Sequence, residues 1–479
     1  MLPLYISYMG AEAYGLVGFY AMLQAWFNLL DMGLTPTMAR ETARFRGGAL
    51  EPLMYRQFVR ALEGIFIGVA LIGGTAFYLS SGYIASSWLK ASTLDLDQLQ
   101  IAIQIMAIII AMRWMCGLYR GAISGSEQLV WLGGYNSFIA TIRFVGVLPV
   151  LMFISATPVA FFSFQLSVAV LEVVGLVYYS YRHFPSIRRG ERINWSWAPL
   201  KPILKFSLTI AFTSSVWVLI TQTDKLVLSA ILPLADYGYF TLAVLVASGI
   251  LVIGGPVGMA IMPRMARLEA EGDHVQLIRI YRQSTQLVAV VAGSASITLI
   301  FFAEPLLWAW TGDAFLAKQV APILTLYAVG NGILAVSAFP YYLQYAKGDL
   351  RLHLIGNAVF VVFLIPLVVW AANQYGGIGA GYVWLAMNLL VFVVWLPFVH
   401  RKFEPGLNAL WYRKDTVIIF AFALLAGYFF NQALPIASDR LWVAAEILAI
   451  GVLIFLSAML ASSEAWVIGK LWIRKFQVK

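Results

Sequence analysis

Thirteen apolar stretches follow one another along this chain, at 14–39, 61–80, 99–119, 130–154, 158–181, 205–223, 236–262, 285–303, 319–343, 353–372, 377–399, 416–434 and 441–462. Each is about long enough to cross a hydrocarbon core of roughly 30 Å as a helix. Inside lipid, backbone polar groups must be satisfied within the segment, so such a chain folds as a bundle of spanning helices. Composition agrees, with 61% hydrophobic and only 11% charged residues, where a soluble domain carries about 25%. The single cysteine, Cys116, excludes an intramolecular disulfide. The four histidines, His183, His274, His353 and His400, lie at span ends or in loops without metal-ligand spacing, so no metal site is expected.

The segments between spans alternate in charge. Segments 40–60, 113–129, 182–205, 264–282, 346–352, 400–415 and the tail 463–479 carry nearly all of the 32 lysines and arginines. The opposite side holds Lys90, Lys225, Lys318 and Arg440, and Arg143 lies within a span. The positive-inside rule places the basic side, and with it the carboxyl terminus, in the cytoplasm of a bacterial inner membrane. The pI of 9.4 is then a topology signal, aided by anionic lipid headgroups, and no nucleic-acid partner is implied. A cleavable signal peptide is not expected, because the first residues lack a basic region and the following apolar stretch is too long.

A weak repeat runs through the chain. AEAYGL, with Tyr14 and Gly15, recurs as LADYGY, with Tyr237 and Gly238; Tyr119 and Gly125 recur as Tyr342 and Gly348 at the same offset. Met38-Ala39-Arg40 matches Met262-Pro263-Arg264 with a slip of one residue. The offset contains an even number of spans, so both copies cross in the same direction, a parallel duplication. The span at 236–262 is second in its half, whereas its counterpart at 14–39 comes first. The expectation is therefore an all-α polytopic membrane protein of two pseudo-repeated six-helix lobes, the first helix truncated, plus two C-terminal helices. The divisions are an N-terminal lobe at 1–181, a basic linker at 182–204, a C-terminal lobe at 205–400, and a helix pair with its tail at 401–479. A start-site artefact and a native thirteen-span protein both remain open; mass spectrometry of the native amino terminus separates them.

Ionisable groups inside spans are costly and mark candidate sites. Arg143 lies about a dozen residues from either end of the stretch Leu132–Ile154, roughly 17 Å from both interfaces at about 1.5 Å per residue. Asp31 and Glu172 fall about 14 Å from the cytoplasmic boundary by the same measure, and Arg113, seven residues from Arg120, is expected to snorkel. One reading makes Arg143 a phosphate ligand in a central cavity, since a guanidinium donates two parallel hydrogen bonds, with a nearby carboxylate exchanging a proton. The other makes it a pin, paired with Asp31 or Glu172. Asp224 and Lys225 end the sixth span on the periplasmic side and suit interfacial anchoring as well as function. Glu63 beside Arg60 is expected to form an interfacial pair. Breaks are expected near Pro36, Pro149, Pro256, Pro340, Pro366 and Pro397.

The segments MGAEAYGL (9–16), LLDMGLTPTMAR (29–40), TDKLVLSAILPLADYGYFTLA (223–243) and PVGMAIMPRMARL (256–268) resemble the polysaccharide-transporter branch of the multidrug/oligosaccharidyl-lipid/polysaccharide exporter superfamily, which contains the Wzx-type flippases. The resemblance implies a fourteen-helix, two-lobed transporter that turns a polyprenyl-diphosphate-linked oligosaccharide across the inner membrane by alternating access, for O-antigen, capsule or exopolysaccharide synthesis. It also implies a cation-lined cavity, a lipid groove beside the last two helices, and acidic positions at Asp31 and Asp224. On this reading Arg143, Arg113 and Lys225 bind substrate, Asp31, Glu172 and Asp224 couple to H+ or Na+, and no cofactor is needed. Partners would be the lipid-linked glycan, membrane lipids and polysaccharide polymerase machinery. The alternatives are a drug or organic-cation antiporter on the same scaffold and a membrane-bound polysaccharide-modifying enzyme. A deep arginine argues against the first; the absence of a nucleophile–base arrangement or a large outside loop argues against the second.

Overall fold

The computed structural model describes residues 2–186, 193, 204–252, 254–433 and 439–463, with side chains of the helix at 204–231 described from residue 215. The chain divides into two compact units, Met1–Gly238 and Tyr239–Lys479. The first contains α1 (Leu2–Met9), α2 (Ala11–Phe27), α3 (Leu34–Arg46), α4 (Pro52–Leu79), α5 (Ser81–Tyr83), α6 (Leu96–Gly125), α7 (Leu129–Phe144), α8 (Val147–Phe153), α9 (Pro158–His183) and α10 (Leu204–Ile231). The division falls inside α11 (Leu234–Val252). The second unit continues with α12 (Gly254–Ala270), α13 (His274–Thr311), α14 (Ala314–Ser337), α15 (Phe339–Ala346), α16 (Arg351–Leu390), α17 (Leu396–Phe403), α18 (Leu407–Leu410), α19 (Ile418–Ala433) and α20 (Arg440–Ala461). The helix at 205–223 expected for the second lobe thus packs with the first unit, as part of α10.

The described residues form helices and no strand, and ten helical stretches among them are long and apolar enough to cross a membrane. One of these, Arg351–Phe403, covers two expected spans, because Gly376 (φ 59°) interrupts α16 with a backbone conformation that suits glycine. Large apolar side chains point outward all along these helices, Ile72 at 74% exposure and Val130 at 93%, as a lipid-facing surface requires. Inside the first unit, Phe58, Leu62, Phe66 and Trp114 pack α4 against α6. In the second, α13 is the central element, packed against α14, α19 and α20.

The span expected at 14–39 is not continuous. A turn of 3-10 helix at Asn28–Asp31, then Met32 (φ 46°) and Gly33 (φ 72°), separates α2 from α3. The α11–α12 boundary lies at the matching place in the repeat offset, and α1 corresponds in offset to the last two turns of α10. The two motif copies also meet in space. A Cβ on Gly15 would lie 2.2 Å from the Leu234 carbonyl oxygen, and one on Gly238 would lie 2.7 Å from that of Ala11. Only hydrogen at those positions lets the starts of α2 and α11 cross with backbones in contact.

The same end of the first unit is held by a carboxylate that the sequence reading passed over. Glu12, in the first turn of α2, accepts from the backbone N–H groups of Ser92, Thr93 and Leu94 at 2.9, 2.9 and 3.0 Å, and from the hydroxyls of Ser92 and Thr93. Lys90 and Trp88 tie the same loop to Ile231 and Ser229 at the end of α10. Desolvation raises the Glu12 pKa, but the hydrogen bonds outweigh it and hold it at about 2. A group whose folded pKa is depressed stabilises above its unfolded pKa and loses that contribution as pH falls toward the folded value. Glu12→Gln should therefore melt lower than wild type near neutral pH, with the difference shrinking as pH falls from about 4.5 toward about 2. Thermal unfolding in detergent across that range measures it.

Candidate functional site

Pro149 sets the local geometry. A proline lacks an N–H, and its ring clashes with the carbonyl four residues back, here Val145. The span accordingly breaks at Val145–Gly146, between α7 and α8. Side chains take up the carbonyls beside the break: Gln165 Nε2 donates to Arg143 O at 3.0 Å, and the Tyr5 hydroxyl donates to Phe144 O at 2.6 Å. A broken helix is tolerated at membrane depth when neighbours satisfy it in this way. The break leaves Arg143 in the last turn of α7, where the helix dipole favours a cation.

The Arg143 guanidinium is half-buried, and among the described residues it has no ion-pair or hydrogen-bond partner. Its Cζ lies 5.0 Å from the centre of the Phe144 ring, and Tyr5, Tyr20, Arg113 and Glu172 are close enough to act on it electrostatically. The pairing with Asp31 or Glu172 that would make it a pin is not formed. Both carboxylates are occupied elsewhere.

Glu172 receives Arg113 at 3.5 Å through Oε2 and Arg120 through Oε1, joining α9 to α6. This corrects one expectation. Arg113 does not snorkel: its side chain is 3% exposed, and it donates to the Tyr20 hydroxyl and to Gln165 Oε1 at 3.3 Å. Its Nε, 3.5 Å from Glu172, is buried without a hydrogen-bond partner. Glu172 likewise joins two helices through its ion pairs. Asp31 is also structural. It accepts from Thr35 N at 3.2 Å and Thr35 Oγ1 at 2.6 Å, capping α3 after the break, so the depth inferred from a continuous helix does not apply.

Asp224 and Lys225 do not end a span. The α10 helix continues to Ile231, and Asp224 is buried inside it, 3.5 Å from Lys225 Nζ, which also donates to Thr221 O. Lys225 is thus satisfied on its own helix. Glu63 pairs with tyrosines, not with Arg60, accepting from Tyr119 and Tyr181 at 3.1 and 2.8 Å. In the second unit, Arg282 meets Asp415 through two bonds of 2.7 and 2.9 Å, and Gln286 adds a third at 2.6 Å. The sequence reading had assigned both charged residues to loops on the basic side, and spacing alone held no signal that they pair. An apolar groove of about 800 Å³ runs between α11, α13 and α20, lined by Val246, Ile250, Ser294, Thr298, Ile447 and Gly451 among others. No cluster of metal-ligating side chains occurs among the described residues.

A helix break beside an arginine with no ion-pair or hydrogen-bond partner among the described residues is the feature that marks a candidate site here. Comparisons with known proteins identify the family. Residues 1–269, more than half of the chain, match the family described as "Polysaccharide biosynthesis protein", and the chain belongs to that family. It is 19% identical over 379 residues to a putative O-antigen transporter of Shigella flexneri, covering 78% of this chain and 87% of that protein. Its fold is similar to that of the lipid II flippase MurJ in an inward closed conformation, with a TM-score of 0.70, 13% identity and 95% of each chain covered. It is also similar to an inward-facing multidrug-resistance MATE transporter, with a TM-score of 0.65, 13% identity, and 84% of this chain and 94% of the other covered. The chain is therefore a multi-pass membrane protein of this polysaccharide biosynthesis family, with a fold similar to those of a lipid II flippase and a MATE transporter.

Proposed function

We propose that this protein turns a polyprenyl-diphosphate-linked oligosaccharide from the cytoplasmic to the periplasmic leaflet of the inner membrane, by alternating access of two lobes, for surface polysaccharide synthesis. The observation that carries this reading is the half-buried, unpaired guanidinium of Arg143 at a mid-span helix break in a member of this family. A diphosphate supplies the anionic oxygens that a guanidinium binds in parallel. The similarity to an O-antigen transporter and to a lipid II flippase supports the same substrate chemistry.

Coupling to H+ or Na+ is assigned to Asp31, Glu172 and Asp224, of which Asp224 is buried in the last third of α10, 3.5 Å from Lys225. The carboxyl terminus is assigned to the cytoplasm on the charge of the loops, and polymerase machinery is the partner that would receive the flipped glycan. Purified protein in proteoliposomes should move a fluorescent lipid-linked oligosaccharide to the opposite leaflet and leave the glycan unaltered. Transport of organic cations without movement of the glycan lipid would overturn the reading in favour of a drug antiporter; a chemically altered glycan would overturn it in favour of an enzyme.

A further inference from the structure

A second lipid-binding feature lies in the first unit, away from Arg143. Arg56 and Arg60 stand one turn apart on the first turns of α4 and line a cavity of about 450 Å³ together with Val59, Glu63, Gly64 and Tyr181. Arg56 lies against two rings, with its Cζ 5.1 Å from the centre of Tyr181 and 5.3 Å from that of Phe184. These cation–π contacts leave its N–H groups without a hydrogen bond among the described residues, and Nε is buried without a partner. Arg60 is exposed and makes no ion pair among the described residues. A half-buried guanidinium with an orphaned donor in a polar cavity is missing an acceptor.

The shape of the cavity indicates what kind of molecule supplies it. Its lining turns from charged to apolar along α4, from Arg56 and Arg60 through Val59 and Gly64 to Ile67. Ile67 also opens a second groove of about 350 Å³ between α4 and α6, lined by Ala70, Leu71, Gly74, Ala107 and Ile108. A basic seat that continues into an apolar furrow along a lipid-facing helix is complementary to an amphiphile with an anionic head and an acyl tail. The furrow from Ile67 to Tyr78 extends about 16 Å at roughly 1.5 Å per residue, the length scale of one leaflet. Charge narrows the choice further. Glu63 faces the same cavity, its Oε1 accepting from both tyrosine hydroxyls, so the two arginines and one carboxylate leave a net charge near +1. That balance suits a singly charged phosphodiester better than a doubly charged phosphate.

We propose that this furrow seats an anionic phospholipid, with its phosphodiester on Arg56 and Arg60 and an acyl chain between α4 and α6. The lipid is a resident of the protein, not its cargo, and the proposal stands whether or not the glycan lipid is the transported substrate. Basic pockets beside spanning helices on the side of the positive loops take anionic headgroups by this physics.

Delipidated protein in detergent, titrated with phosphatidylglycerol, phosphatidylcholine or inorganic phosphate and followed by native mass spectrometry and thermal unfolding, tests it. Phosphatidylglycerol should bind and raise the melting temperature, phosphatidylcholine should do so far less, and inorganic phosphate should not. Arg56→Gln/Arg60→Gln should bind phosphatidylglycerol about tenfold or more weakly. Ile67→Trp, which keeps both arginines and blocks the junction of the two cavities, should weaken the lipid as well. Arg60→Gln alone changes an exposed residue and gives a folded protein in which the loss is still measurable. Equal stabilisation by inorganic phosphate would replace the lipid with a soluble anion. Unchanged phosphatidylglycerol binding in Arg60→Gln and in the double variant would overturn the site.

Discussion

Glu172→Gln will lower the stability of the protein by about 3–5 kcal/mol, the loss expected when one partner of a buried ion pair is removed. The neutral amide keeps the shape of the carboxylate but leaves Arg113, 3% exposed, as a cation with no counter-charge in reach among its described partners. Arg120, on the other carboxylate oxygen, loses the same counter-charge, though at 41% exposure it turns to solvent or headgroups at less cost. Glu172→Leu combined with Arg113→Met should recover much of the loss, because replacing both charges by apolar groups removes the desolvation penalty together with the attraction. Thermal unfolding of the purified variants reads this directly. A Glu172→Gln protein that melts like wild type would show that the α6–α9 contact does not depend on the charge.

Arg143→Ala will have the opposite profile. Its guanidinium contributes no ion pair or hydrogen bond to the described fold, so expression and melting temperature should stay near wild type. Translocation of the lipid-linked glycan should fall about 10- to 100-fold, the value of a charge-assisted bidentate contact worth roughly 1.5–3 kcal/mol. Arg143→Lys retains the charge but not the planar fork, and should give an intermediate rate. The contrast between Arg113, paired with Glu172, and Arg143, which has no such partner among the described residues, is what the two predictions probe. Both lie in spans of similar composition, and only their partners distinguish them.

The partition of roles among these charged residues is where reading the sequence reached its limit. The all-helical, membrane-spanning class follows from length and hydropathy, because lipid leaves the backbone few alternatives, whereas ten helical stretches among the described residues qualify as spans where thirteen were expected. The break at Pro149 follows from the missing N–H, and the crossing of α2 and α11 is foreshadowed by the paired Tyr-Gly motifs. Depth along a span proved a poor guide to partnership. Arg113, Arg120 and Glu172 meet because α6 and α9 pack side by side with their polar faces in register, a relation between distant segments that local spacing does not encode. Asp31 was read at the wrong depth because Met32-Gly33 was taken to continue a helix that it ends. Arg282 and Asp415 were hidden in the same way: each sits among basic residues that signal topology, and their union depends on helices more than a hundred residues apart. Glu12 carries a weak signal, an acidic residue in a first turn, but its donors are N–H groups and hydroxyls of a loop near Thr93 that no pattern announces.

The most direct test of the headgroup seat is the equilibrium affinity of the purified protein for a short-chain polyprenyl diphosphate, compared with the corresponding neutral alcohol, in wild type and in Arg143→Gln. Wild type should bind the diphosphate more tightly than the alcohol, and the substitution should remove about tenfold or more of that preference while leaving affinity for the alcohol unchanged. An undiminished preference in a folded Arg143→Gln protein would place the diphosphate elsewhere and contradict the role assigned to this arginine.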